Sequence, residues 1–214
     1  MLQDLHTIPI NTAVVAGLYP HIKSKAQKVA DLERAGSLIR LKRNLYVVSP
    51  SLSGVPLSTE LIANQLYGPS YLSLQSALRY YGLIPEAVYQ HLSMTIKHSR
   101  SFTTPVGHFH YQQCTRDYFA IGLTIVQRTG YAFIIATPEK ALADLITYTK
   151  GLNMRYRKEI LTYLKDDLRL DMDAFFAMDA TIFEACAALG KKATTMKAIA
   201  KLLRDQRSEL SPDF

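Results

Sequence analysis

Lys23, Lys25 and Lys28 crowd the opening of a segment that runs Ser24-Lys-Ala-Gln27, and Lys42, Arg43 and Asn44 stand together at the tip of another. Cationic side chains gathered this way neutralise phosphates and release their counterions. Hydroxyl and amide groups such as those of Ser24, Gln27 and Asn44 hydrogen-bond phosphate oxygens or base edges. Residues 1–50 carry seven Lys or Arg against three acids, and five of the seven lie at these two places. A charge run is usually a solvated face; concentration at a helix start and a turn tip is what favours contact with a duplex.

Neighbouring residues define the elements that must hold these groups. Ser24 with Gln27 three positions later predicts a capping box, and Gly36 a left-handed stop. Between them Ala26, Val29 and Ala30 share one arc, with Leu32 at its margin, while Ser24, Gln27, Lys28, Asp31 and Arg34 share the opposite one. Glu33 falls inside the apolar arc. Upstream, Asn11 or Thr12 caps a short helix reaching Leu18, which Tyr19-Pro20-His21 must break. Downstream, Leu38, Leu41, Leu45 and Val47 alternate with Ile39 and Tyr46 as two half-buried strands do, and Asn44 tolerates the positive φ of a tight turn. Helix, turn, helix and basic hairpin predict a winged helix-turn-helix over residues 1–55. Ser49 to Pro56 marks the boundary to a second domain over 56–214.

In that second stretch Ser58 to Tyr67 and Ser73 to Tyr81 read as helices. Leu92 to Lys97, His108 to Gln113, Ile121 to Gln127 and Tyr131 to Ile135 read as strands, with Thr129-Gly130 as a turn. From Thr137 helices dominate: Glu139 to Tyr148, Tyr156 to Asp166, a short one after Asp173, Thr181 to Leu189 and Thr194 to Arg204. The expected class is α+β, with a small, largely antiparallel sheet and several helices.

Several of these residues form an ordered set: Arg43-Asn44-Leu45-Tyr46-Val47, Ile62-Ala63, Pro69-Ser70-Tyr71-Leu72-Ser73-Leu74-Gln75-Ser76-Ala77-Leu78, Tyr81-Gly82-Leu83-Ile84 and Thr137-Pro138-Glu139-Lys140-Ala141-Leu142-Ala143-Asp144. In order and spacing they resemble the AbiEi-like antitoxins of type IV, abortive-infection toxin-antitoxin systems, over residues 40 to 146. The resemblance implies a winged helix that binds the promoter of its own operon and a C-terminal domain that counteracts a nucleotidyltransferase-like toxin; two copies on an inverted repeat, a dimer on the DNA, would give repression. The family usually has Gly where Asn44 stands, and its first helix would have to fit within Met1 to Thr7.

Other constellations point elsewhere. His108 and His110 share one side of a strand and could ligate a metal, but lack companions with ligand spacing, so no metal is expected. His98 with Arg100 or His108 would suit acid-base cleavage of RNA, and Asp171-Met172-Asp173 the paired carboxylates of nucleotidyltransferases; helix capping accounts better for the latter. These carry the rival reading, a nuclease-like enzyme; a third is a ligand-sensing regulator. No phosphate-cradling glycine motif is present, so no nucleotide cofactor is expected. Thirteen Tyr and no Trp leave base stacking as a minor possibility. Arg79, Lys97, Arg100, Arg116 and Arg128 would form a second basic surface if the sheet gathers them. The +7 charge fits a polyanionic partner. Cys114 and Cys186 form no pair motif, and no signal peptide or apolar run of membrane-spanning length is evident, so a cytoplasmic, non-membrane protein is expected.

Overall fold

The computed structural model describes residues 2–86 and 89–210, without the side chains of 207, 209 and 210; Met1 and residues 211–214, the ends of the two expected domains, lie outside it. The chain is α+β, with a two-stranded hairpin and a six-stranded mixed sheet.

The first unit starts with a 3-10 turn, Gln3–Leu5, in place of the expected short helix. Helix α1 (Thr12–Gly17) follows, with the Asn11 side chain accepting from the Val14 amide at 2.9 Å. Helix α2 (Lys25–Arg34) is capped by Ser24, whose hydroxyl accepts from the Gln27 amide. The reciprocal half of the expected capping box is replaced: the Gln27 amide reaches forward to Asp31 Oδ1 at 2.9 Å. At the other end Gly36 takes φ +70, and the amides of Ser37 and Gly36 donate to the carbonyls of Leu32 and Glu33, a Schellman stop. Glu33 escapes its apolar arc by pairing with Arg40 at 2.6 Å. Ala26, expected to pack, is exposed.

Strands β1 (Leu38–Lys42) and β2 (Leu45–Val48) pair antiparallel through a turn at Arg43-Asn44. Ile10 exchanges two 2.8 Å hydrogen bonds with Tyr46, adding a third rung beside β2. The hairpin has two covered faces. Leu38, Tyr46 and Val48 pack with Leu2, Ile10, Val15 and Val29 in a small core, whereas Leu41 and Val47 belong to the large core of the rest of the chain. Period-two alternation permits this because successive side chains point to opposite faces.

After the four-residue helix α3 (Pro50–Ser53) come α4 (Thr59–Leu66), β3 (Ser70–Leu72), α5 (Leu74–Tyr80), β4 (Gln90–Thr95), β5 (Arg100–Thr104), β6 (Gly107–Gln113), the short α6 (Arg116–Phe119), β7 (Leu123–Arg128) and β8 (Tyr131–Ala136). The sheet order is β5-β6-β4-β3-β8-β7. It is mixed: three of its pairings are antiparallel, in line with the largely antiparallel expectation, while β4 pairs parallel with β6 and β3 parallel with β8. Parallel partners need a crossover rather than a tight turn; the chain from β4 to β6 crosses through β5, and that from β3 to β8 through the long excursion between them.

The remaining helices are α7 (Pro138–Tyr148), capped by Thr137, α8 (Arg157–Thr162) running into a π-helical turn (Tyr163–Asp167), α9 (Met172–Ala177), α10 (Ala180–Leu189) and α11 (Ala193–Leu210). Asp171 accepts from the amides of Asp173 and Ala174 at 3.0 Å each, so it caps α9 as expected. Among the described residues no helix is long and apolar enough to cross a membrane.

Candidate nucleic-acid interface

Four of the basic groups singled out by sequence stand at the helix opening and the hairpin tip. Lys23 and Lys25 are exposed around the first turn of α2, next to the exposed Ser24. Lys28 is half-buried, its amine 4.8 Å from the ring centroid of Tyr19, within cation–π reach. Arg43 is exposed at the hairpin tip.

Asn44 also stands there, with φ +62, as the turn requires. Its side chain works inward, because Oδ1 accepts the Thr12 amide at 3.0 Å. The hairpin tip is thereby tied to the opening of α1, and one otherwise unpaired helix-end donor is satisfied. Gln27, read as a base contact, spends its amide on Asp31, which also pairs with Arg34 at 3.0 Å.

Lys42 departs from the expected placement. Its amine donates to the carbonyl of Leu66, the last residue of α4. Burial holds that amine below the usual lysine range, and the charges of Lys97 and Arg100 push the same way. Lys97 donates to Gly68 O just beyond the same helix end. Two lysines thus close the C-terminus of α4, where unpaired carbonyls and the helix dipole favour cations. Around them Tyr67 and Phe102 meet at 5.5 Å, with Lys97 over Tyr67 and Arg100 over Phe102.

The expected second basic surface does not assemble. Arg100 lies on β5 and Arg128 on β7, the two opposite edges of the sheet, five strand spacings apart or roughly 24 Å. Arg128 donates to the Tyr80 hydroxyl, and Arg79 to the carbonyls of Ile84 and Pro85. Arg79, Lys97 and Arg128 each complete a local backbone or hydroxyl contact.

The imidazoles are spread likewise. His108 and His110 make cross-strand hydrogen bonds with Thr103 (3.2 Å) and Ser101 (2.9 Å). His98 lies in the β4–β5 turn and Asp173 in the first turn of α9. Among the described residues no three His, Cys, Asp or Glu side chains are grouped to hold a metal. Both cysteines are buried free thiols, and burial pushes Cys114 up to about 12 and Cys186 to about 11.

One constellation escaped sequence reasoning. Lys140 and Asp144, one helical turn apart on α7, are fully buried and paired at 2.8 Å. The other Asp144 oxygen accepts from Tyr71 (3.1 Å) and from Ser73 (2.6 Å), and the Lys140 amine sits 3.2 Å from the Tyr118 ring centroid. Both Asp144 oxygens are thereby hydrogen-bonded, which is what holding a carboxylate in a core requires. Its signal was an i, i+4 pair of opposite charge inside the otherwise apolar run Ala141-Leu142-Ala143. The two longest segments of the family resemblance supply four of its members.

Compared with known proteins, the chain matches no family model and no curated protein.

Proposed function

We propose that residues 1–55 form a winged helix that binds operator DNA, and that the chain represses a toxin-antitoxin operon in which the remaining residues act as the antitoxin. The observation that carries the DNA reading is the exposed set Lys23, Lys25 and Arg43, with Lys28 beside it, on α2 and on a hairpin whose tip is fixed to α1. On this reading α2 presents its opening turn to the major groove, Lys23, Lys25 and Lys28 neutralise phosphates, and Arg43 meets the adjacent backbone or minor groove. Lys42 and Lys97 are left out of the footprint because they close α4. Two copies on an inverted repeat give repression. The antitoxin role rests on the resemblance over residues 40 to 146.

The test is a gel-shift titration against salt with the DNA upstream of the gene. Lys25→Ala with Arg43→Ala should weaken binding to all duplexes alike and flatten the log-log salt slope by about two, near one per lost phosphate contact. Lys42→Ala should leave that slope unchanged. Equal slopes for the double variant and the parent would remove the DNA reading. Rescue of growth by the full chain, when the neighbouring gene is expressed, tests the antitoxin role separately.

A further inference from the structure

A second pair of cations lies at the carboxyl ends of two neighbouring parallel strands. β4 and β6 run parallel side by side, and a crevice of about 520 Å³ opens where both leave the sheet. Ile96, Cys114, Arg116, Tyr148 and Lys191 line it, with Gln113 and Thr115. This volume lies within the roughly 300–1,000 Å³ typical of small-molecule sites.

The lining carries two positive charges and no carboxylate. Arg116 opens α6 and Lys191 lies between α10 and α11; both are exposed, and neither takes part in the ion pairs found among the described residues. Asp144, the carboxylate whose charge reaches Tyr148, is already matched by Lys140.

The loop holding Lys191 is fixed on both sides. A Cβ on Gly190 would stand 2.4 Å from the Tyr118 ring, so only glycine fits. Lys192 adopts φ +58, and its amine donates to the carbonyls of Ile146 (2.8 Å) and Thr149 (2.6 Å) at the end of α7. Left-handed residues other than glycine persist only where surroundings over-determine them. Lys191, braced between the two, holds its amine 5.8 Å from the Tyr148 ring centroid. Burial raises the Tyr148 hydroxyl, which therefore stays a neutral donor beside an aromatic face.

We propose that this crevice binds a small phosphate-bearing molecule of nucleotide size, with the phosphate between Arg116 and Lys191 and the apolar part against Tyr148 and Ile96. The site is separate from the basic helix and hairpin, so its success or failure is independent of the DNA reading.

Isothermal titration of the full chain with AMP, inorganic phosphate and adenosine tests it. The expected result is saturable one-to-one binding of AMP, weaker binding of phosphate and the weakest of adenosine. Arg116→Ala and Lys191→Ala should each cost AMP about tenfold or more, as loss of a charge-assisted contact does. Lys201→Ala, an exposed cation of α11, should match the parent. Circular-dichroism melts check that the variants fold, and unchanged gel shifts show that operator binding is untouched. The proposal is overturned if neither AMP nor phosphate saturates at millimolar concentrations, if adenosine binds as well as AMP, or if AMP binding ignores both substitutions.

Discussion

Asp144 accepts three hydrogen bonds from three separate places: the middle of β3, the residue that opens α5, and its own helix. Removing one partner of a buried pair leaves the other uncompensated. Asp144→Ala should therefore lower stability by about 3–5 kcal/mol in urea unfolding, while Lys140→Met with Asp144→Leu should recover much of the loss. Equal damage by the single and double changes would assign the cost to packing rather than charge. His91, stacked on Phe109 at 4.8 Å between ring centroids, offers a pH test. Burial holds its imidazole below the ordinary 6.5, against an opposing pull from Glu60. The unfolded chain then takes up a proton first. Stability from this group is fully present above the unfolded value and is lost as pH falls from there through the lower folded value. His91→Gln should flatten the fall in urea midpoint between about pH 7 and acid; an unchanged slope would point to another group.

At the scale of elements, Gly190 shows how one connection fixes two helices. Gly190→Ala must displace Tyr118 or the loop, and a thermal melt should show a loss of about 1–3 kcal/mol, the range for overpacking a filled site. Much at this scale was legible in the sequence wherever a signal is local. The cap at Ser24, the stop at Gly36, the turn at Asn44, the cap at Thr137 and the helix cap at Asp171 each depend on residues within four positions. What depends on distant partners was not. β5 reads Arg-Ser-Phe-Thr-Thr, with one apolar residue in five, and becomes a strand because β6 pairs with it. The parallel register of β4 on β6 is likewise a property of the pair. Lys42 looked like a hairpin-tip cation because its acceptor lies 24 residues away; Arg116 and Lys191, distant in sequence, share one crevice only through the fold.

For the whole molecule, the first 55 residues do not own both faces of their hairpin. Leu41 and Val47 are buried against the larger core, and the Thr7 hydroxyl accepts from the Ser58 amide at 2.6 Å. A fragment of residues 1–55 should therefore expose an apolar face and fail to melt cooperatively as a monomer in calorimetry; a sharp two-state transition would show the small core to be sufficient. Sequence patterning marks which strand residues are apolar, not which of two neighbouring bodies will cover them.

A strand pair clasped from both sides cannot act as a hinge. If α2 lies in a groove, the six-stranded body is carried around the duplex at a fixed angle, like the handle of a wrench. Two molecules on one operator then keep phase with the helical repeat. Adding about five base pairs between half-sites should place them on opposite sides of the DNA and abolish cooperative occupancy, and about ten should restore it. A footprinting series indifferent to that phase would show that the copies do not meet.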